Sequence, residues 1–384
     1  MMAEILFWGG IAFVAYAYAG YLIALMVLAR VRPRPVYRRD VTPRITLIIT
    51  ARNEQTRIEN KIRESLALDY PADQLEIIVA SDCSTDATHE IVDGYRCRGV
   101  RLIASPERRG KEYAQKLAIA AATGDILVFS DVSTRLDRDG LRHLARNFAD
   151  PTIGCVSSVD KLVGTDGNVS GEGLYVRYEM RLRSLESSVG SVVGLSGSLF
   201  AARREVCTPW ATDLPSDFTT LLNTLRLGMR GISDPASIGY YPDLADKSRE
   251  YSRKVRTITR GITSLLQNLQ LLDSSRFGLA AWQLCSHKLC RWLVPCALFL
   301  SLAGNLVLAT QSTLYLACAM AHVSLYAVAA YGYSRNPDRL SLLTRTITFF
   351  VMANVSIVNA WFNVIRGRQI VTWEPSKRPD VVGK

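Results

Sequence analysis

The sequence predicts an α/β domain with a mostly parallel, doubly wound sheet and helices on both faces, set between membrane-crossing helices. Short β-branched runs alternate with helix-period segments in the middle of the chain, and both ends are strongly apolar. The 384 residues are 48% hydrophobic and 21% charged, an average over two unlike parts. Residues 42–272 are mixed in polarity and long enough for one domain with its own core. Residues 1–41 read as an N-terminal transmembrane anchor and basic linker, 273–365 as an interfacial helix with C-terminal transmembrane helices, and 366–384 as a basic tail.

Ile5 to Ala29 carries no charged residue. About 20 such residues in a helix cross the ~30 Å hydrocarbon layer. A signal peptide has its basic residues ahead of the apolar stretch. Here Glu4 precedes it and the cluster Arg30, Arg32, Arg34, Arg38, Arg39 follows. That order predicts an anchor with the N-terminus outside, Arg30 onward in the cytoplasm, and arginines at the headgroups.

Ile45–Thr50 is a β-branched run of the kind buried in parallel sheets, and Asn53–Ala67 follows with helical spacing at Ile58, Ile62 and Leu66. Leu75–Ala80 is a second strand, after which the polar turn Ser81–Asp86 leads into a helix that Thr85 or Asp86 can cap. Val100–Ala104 is a third strand, Lys111–Ala122 a helix, and Asp125–Phe129 a fourth strand ending in Ser130-Asp131. In such sheets ligands bind beyond the carboxyl ends of the strands. Glu54, Asp82, Asp86 and Asp131 all fall there. A carboxylate-lined edge accepts a phosphate when Mg2+ or Mn2+ bridges the two. Asp131 is the candidate metal ligand, Asp82 a hydrogen-bond acceptor for a base or ribose, and Asp86 a turn former.

Toward the C-terminus, Leu293–Thr310 and Thr313–Tyr331 read as a helical hairpin. Ile347–Val364 is a third apolar stretch, containing Asn354, Asn359 and Asn363. Length favours three crossings here and four in all. The positive-inside rule, applied to Arg366 and Arg368, favours two and an interfacial helix.

The net charge of +11 admits nucleic acid, anionic lipid or phosphorylated substrates as partners. The arginines crowd the apolar segments, and neither zinc-finger spacing nor an aromatic-interleaved basic stripe is present, so nucleic acid is excluded. The eight cysteines form no C-x-x-C pair, as in reduced cytosolic proteins. The four histidines share no ligand spacing, and the Asn-Val-Ser triplets at Asn168 and Asn354 are read as chance.

The order Ala51-Arg-Asn-Glu54, Ser81-Asp-Cys-Ser-Thr-Asp86, Arg109-Gly-Lys111, Phe129-Ser-Asp131, then Gly194-Leu-Ser-Gly-Ser198 before Arg203-Arg204, resembles family 2 glycosyltransferases of the GT-A fold, including small poly-N-acetylglucosamine- and hyaluronan-type synthases. The likeness covers about Pro43 to Gly261. It implies a nucleotide-sugar site formed by Ala51, Glu54, Asp82, Lys111 and Asp131, with Asp82 on the base and Asp131 in the metal-binding acidic motif. That motif departs from D-x-D, because Ser133 replaces the second aspartate. Leu214-Pro-Ser-Asp-Phe218 resembles the segment carrying the family's catalytic base, which matches Asp217; a helix cap at Asp217 is the other reading. Arg253 and Arg256, three apart in Glu250–Arg260, match residues that bind the leaving diphosphate, or else form a basic helix on lipid. Thr257 stands where processive relatives carry tryptophan, and Arg368–Pro375 resembles a segment that closes over the nucleotide.

The resemblance implies an inverting transferase of the plasma (bacterial inner) membrane with a cytoplasmic catalytic domain. It moves a hexosyl or N-acetylhexosaminyl group from a nucleotide donor, most simply a UDP-sugar, to a lipid-linked or saccharide acceptor near membrane lipid. Product length, one sugar or many, stays open. A catalytically inactive nucleotide-sugar-binding or scaffold protein is the alternative, prompted by Ser133 and Ser216.

Overall fold

The computed structural model of the protein describes residues 1–163, 174–242, 247–335 and 340–368. Asn168 and nearly all of the Arg368–Pro375 segment lie outside them. The chain divides into two compact units. One comprises Leu25–Lys247 and Thr263–Gln283 among its described parts, the other Met1–Ala24, Ser248–Ile262 and Leu284–Arg368.

The first unit is built on a mixed sheet. β1 (Ile45–Ala51), β2 (Leu75–Ser81), β3 (Val100–Ala104), β4 (Ile126–Asp131), β5 (Arg135–Leu136), β6 (Ile153–Val163), β7 (Leu199–Arg203) and β8 (Arg230–Pro242) take the order β3-β2-β1-β4-β7-β6-β8-β5. The β3-β2-β1-β4 half is parallel. β7 then runs antiparallel to β4 and β6, and β8 lies parallel to β6. Every residue of β1 is buried, as a strand covered on both faces must be. The helices are α3 (Ile58–Leu66), α4 (Thr88–Asp93), α5 (Lys111–Ala121), α6 (Gly140–Ala145), α7 (Leu174–Val189) and α8 (Ser216–Arg226). Ile58 and Ile62 of α3 join Ile45, Leu47, Ile49 and Val79 in the core. The helix begins at Ile58 rather than Asn53, because Asn53 and Glu54 are spent on the preceding loop.

The linker after the first apolar segment is stitched to this unit. Arg34 N donates to Ser188 O (2.6 Å), and Arg38 Nε donates to Asn147 Oδ1 (2.8 Å). Buried Arg230 donates to Arg34 O (2.9 Å). The expectation that these arginines face headgroups is thereby corrected for Arg38, whose guanidinium is taken up by protein. All eight cysteines are free; Cys155 and Cys207 are buried, whereas Cys97 and Cys296 are exposed.

The apolar helices fall mainly in the second unit, although Leu25–Val31 and Ser274–Gln283 are grouped with the first. α1 (Met2–Ala15) continues through a π-helical turn at Tyr16–Gly20 into α2 (Tyr21–Val31). α9 (Lys247–Leu266) and α10 (Ser274–Leu284) precede α11 (Cys290–Leu308), α12 (Thr313–Tyr333) and α13 (Leu342–Ile365). Four stretches, Met2–Val31, Ser274–Leu308, Thr313–Tyr333 and Leu342–Ile365, are long and apolar enough to cross a membrane. α1 and α11 approach closely where side chains are absent. A Cβ on Gly10 would lie 2.6 Å from Ala297 O, and one on Gly304 would lie 2.6 Å from Ala3 O. Small residues of this kind let helix backbones meet in lipid. Two of the asparagines of α13 donate to protein acceptors: Asn354 Nδ2 to Phe350 O (2.8 Å) and Asn359 Nδ2 to Tyr251 Oη (2.5 Å).

Candidate active site

The strand register brings the acidic ends together. Ala51 pairs with Ser81, and Thr50 with Asp131, so three strands stop at one edge. Asn53 (φ 50°) and Cys83 (φ 54°) take the left-handed backbone that turns the chain sharply out of β1 and β2. The two loops are tied together: Arg52 donates to Asp82 O (2.6 Å), and Asn53 Oδ1 accepts from Thr85 N (2.8 Å). Asp82 N donates to the carbonyl of buried Ala51 (3.0 Å).

Asp82 is wholly buried at this edge. Its Oδ1 accepts from the backbone N–H groups of Arg109 and Gly110, both at 3.0 Å. Its Oδ2 has no hydrogen-bond partner among the described residues. A buried carboxylate oxygen left in that state is costly unless a ligand donates to it.

Lys111, the first residue of α5, links the rest of the site. Its Nζ donates to Asp131 Oδ1 at 2.5 Å and to Gly197 O at 3.0 Å. Asp131 N donates to Ser198 O (3.0 Å). Gly197 lies against Asp217, whose Oδ2 would be 3.4 Å from a Cβ at that position. Asp131, Lys111 and Asp217 thus meet around one loop, and Gly110 connects them to Asp82. Helix α8 starts at Ser216 with Pro215 as N-cap, so Asp217 is not its cap. It sits in the first turn of that helix.

Glu54 is differently occupied. Only 4% exposed, it pairs with Arg57 at 2.7 Å. Burial pushes its carboxyl up and Arg57 pulls it back. Asp86 behaves as a turn former, accepting from Thr88 N (3.1 Å) and Gln55 N (3.1 Å).

Two residues the sequence reading passed over support this edge. Asp160 on β6 accepts hydrogen bonds from Ser196 Oγ (2.6 Å) and Ser198 Oγ (3.1 Å), a pairing across the sheet with no local signature. Lys61 is buried in α3 and donates to Ser130 Oγ (2.8 Å) and Thr134 O, on either side of Asp131. Its signal was a charge on the buried stripe of Ile58 and Ile62. Burial pushes its amine down to about 8 from the usual 10.5, against the pull of Glu64 and Asp131. Between those pH values the unfolded chain binds the extra proton, so stability rises with pH there. The wild-type protein should therefore gain up to about 3 kcal/mol on Lys61→Met as pH rises from about 8 to 10.5. Thermal unfolding of both proteins across that window checks this; a constant gap refutes it.

Among the described residues no group of three His, Cys, Asp or Glu side chains is placed to hold a metal ion. Asp131, with Ser133 two residues on, offers one carboxylate. Such a donor fits Mg2+ or Mn2+ when substrate phosphate oxygens complete the shell. Arg253 and Arg256 lie on α9, in the part grouped with the apolar helices. On that helix Lys254 Nζ sits over the Phe349 ring at 4.3 Å, and Tyr251 bonds Asn359, so this face is packed on α13.

Comparison with known proteins supplies the next constraint. Residues 46–207 match the model of glycosyl transferase family 2. The chain is 27% identical over 169 residues to a beta-monoglucosyldiacylglycerol synthase of Synechocystis sp., covering 42% of this chain and 35% of that protein. It is 26% identical over 208 residues to a poly-beta-1,6-N-acetyl-D-glucosamine synthase of Staphylococcus aureus, covering 52% and 49% respectively. The chain thus spans half or less of the length of these relatives. A mannosyltransferase from Pyrobaculum calidifontis, solved in complex with GDP-Man and Mn2+, superposes with a TM-score of 0.73. The superposition covers 96% of this chain and 100% of that one at 22% identity, a likeness of fold.

Proposed function

We propose that the chain is an inverting family 2 glycosyltransferase moving a sugar from a nucleotide donor to a membrane-proximal acceptor, a reading supported by the family match over residues 46–207 and by the likeness of fold. One observation carries the reading: Lys111 bridges Asp131 and Gly197 O, and Gly197 lies against Asp217. A cation, a phosphate-side carboxylate and a second carboxylate on a helix N-terminus are the groups an inverting transfer needs.

In this mechanism the free Oδ2 of Asp82 accepts from the base of the nucleotide, while the Ala51 carbonyl holds the Asp82 loop in register. Glu54 supports the same loop through Arg57. Lys111 binds the diphosphate, giving up part of its pairing with Asp131. Asp131 is the carboxylate that would hold a Mg2+ or Mn2+ ion, which would supply neutralisation of the charge developing on the departing diphosphate. Asp217 takes the proton of the acceptor hydroxyl as its oxygen attacks the anomeric carbon.

The relatives' names, in glycolipid and polysaccharide synthesis, support a UDP-sugar as donor and a lipid-linked or growing saccharide as acceptor. The four apolar helices fit an integral protein of the plasma membrane with its catalytic domain in the cytoplasm. Full-length protein in detergent should release UDP or GDP from one member of a nucleotide-sugar panel when Mn2+ and membrane lipid extract are supplied. Mass spectrometry of the product then separates single addition from polymerisation. No nucleotide release from any donor would overturn the reading.

A further inference from the structure

The loop Gly194–Ser198 has two faces with different partners. Its backbone oxygens point to the site: Gly197 O accepts from Lys111 Nζ (3.0 Å) and Ser198 O from Asp131 N (3.0 Å). Its side chains point the other way, to Asp160. One oxygen of that carboxylate, Oδ1, accepts from Ser196 Oγ (2.6 Å), Ser198 Oγ (3.1 Å) and Ser158 Oγ (3.2 Å). Ser196 Oγ in turn accepts from Ser198 N (3.2 Å) and Leu199 N (3.3 Å). The strand beneath completes the anchorage: Ser196 N donates to Ser157 Oγ (2.8 Å), and Ser158 Oγ donates to Leu199 O (2.8 Å).

We propose that Asp160 is a positioning residue for the transfer: acting through Ser196 and Ser198, it fixes the spacing between the Lys111–Asp131 pair and Asp217. The inference rests on the glycosyltransferase reading given above. Gly197 meets both sides, its carbonyl accepting from Lys111 and a Cβ on it lying 3.4 Å from Asp217 Oδ2. A glycine has no side chain with which to hold itself in place. Its position is therefore set by its neighbours, and both serine neighbours are tethered to Asp160. A carboxylate accepting several hydroxyls is a stiff anchor, because charge-assisted hydrogen bonds are short and strong. Burial raises the Asp160 carboxyl, while Ser196, the Arg183 charge and the other hydroxyls oppose that rise. Displacement of the loop by about 1 Å suffices to cost two orders of magnitude in a reaction that depends on alignment.

Asp82, the residue proposed to take the base, is held by the Arg109 and Gly110 N–H groups and not by the Gly194–Ser198 loop, so the defect should fall on alignment more than on donor binding. Asp160→Ala is expected to lower kcat for transfer about 10- to 100-fold and to leave donor KM within about threefold. Released nucleotide should exceed transferred sugar, because water replaces the misaligned acceptor. Asp160→Asn keeps an acceptor oxygen for the serine hydroxyls and should restore most of both kcat and coupling. Ser196→Ala, a smaller perturbation, should shift the coupling ratio in the same direction if Asp160→Ala fails to fold. Wild-type kcat and coupling in folded Asp160→Ala, or in Ser196→Ala, would overturn the proposal. So would a donor KM raised tenfold, or an asparagine variant no better than alanine. A wild-type protein that releases no nucleotide at all overturns the transferase reading and this proposal together.

Discussion

Asp217→Asn should lower the turnover number for transfer by about 10²–10⁴-fold, with donor KM changed little. The amide keeps the size and shape of the carboxylate, so packing beside Gly197 is preserved and the helix start at Ser216 is untouched. What is lost is the ability to accept a proton from the acceptor hydroxyl. An attacking alcohol that keeps its proton develops positive charge on oxygen as the new bond forms. Asp131 does not substitute for the lost base, because its Oδ1 is already engaged by Lys111 at 2.5 Å. Initial rates of nucleotide release, measured with saturating donor, provide the check. Retention of more than about a tenth of wild-type kcat would remove Asp217 from the base role.

Asp131→Asn should reduce kcat/KM by about 10²–10³-fold, the range seen when one group stabilising transition-state charge is removed. Three effects converge on that residue. The variant loses the single carboxylate that the acidic motif retains, Ser133 being unable to replace it. It also removes the Asp131 charge that pairs with Lys111 at 2.5 Å and so alters the cation proposed to meet the diphosphate. Finally, it weakens the Mn2+ dependence of the reaction, because substrate phosphates alone then hold the ion. A Mn2+ titration of the wild-type and variant proteins at fixed donor separates these outcomes. An unchanged titration midpoint with a normal rate would show that Asp131 holds no metal. Removing divalent ions with a chelator should bring the wild-type rate down toward that of the variant.

Much of the sheet was legible because its strands announce themselves. Ile45–Ala51 and Ile126–Asp131 are buried on both faces, so they are written almost wholly in apolar and β-branched residues. Their ends are polar because the chain must leave the core there, which exposed Asp82 and Asp131 to a reader of the sequence alone. The antiparallel strand β7 was not legible in the same way, since Leu199–Arg203 has no pattern that states its direction. Lys61 shows a second kind of limit. A lysine three residues from Ile58 reads as a solvated helix charge until the strand beyond it supplies Ser130 and Thr134 as acceptors. Glu54 shows a third: the motif gave its place at the strand end, but its ion pair with Arg57 is a side-chain choice within one turn. Asp160 lies 36 positions from Ser196, and only the folded sheet joins them. The apolar helices needed no such help, since length and composition alone define them.

The glycine seam between α1 and α11 bears on how the protein is made. Gly10 and Gly304 each admit a backbone oxygen where any larger residue would collide, so only one screw position lets the two axes draw together. α1 is synthesised before α11, so its notch at Gly10 stays unfilled until the later helix exists. A larger side chain at either glycine would hold the two backbones apart. Close packing of the earlier helix is thereby deferred to the synthesis of the later one.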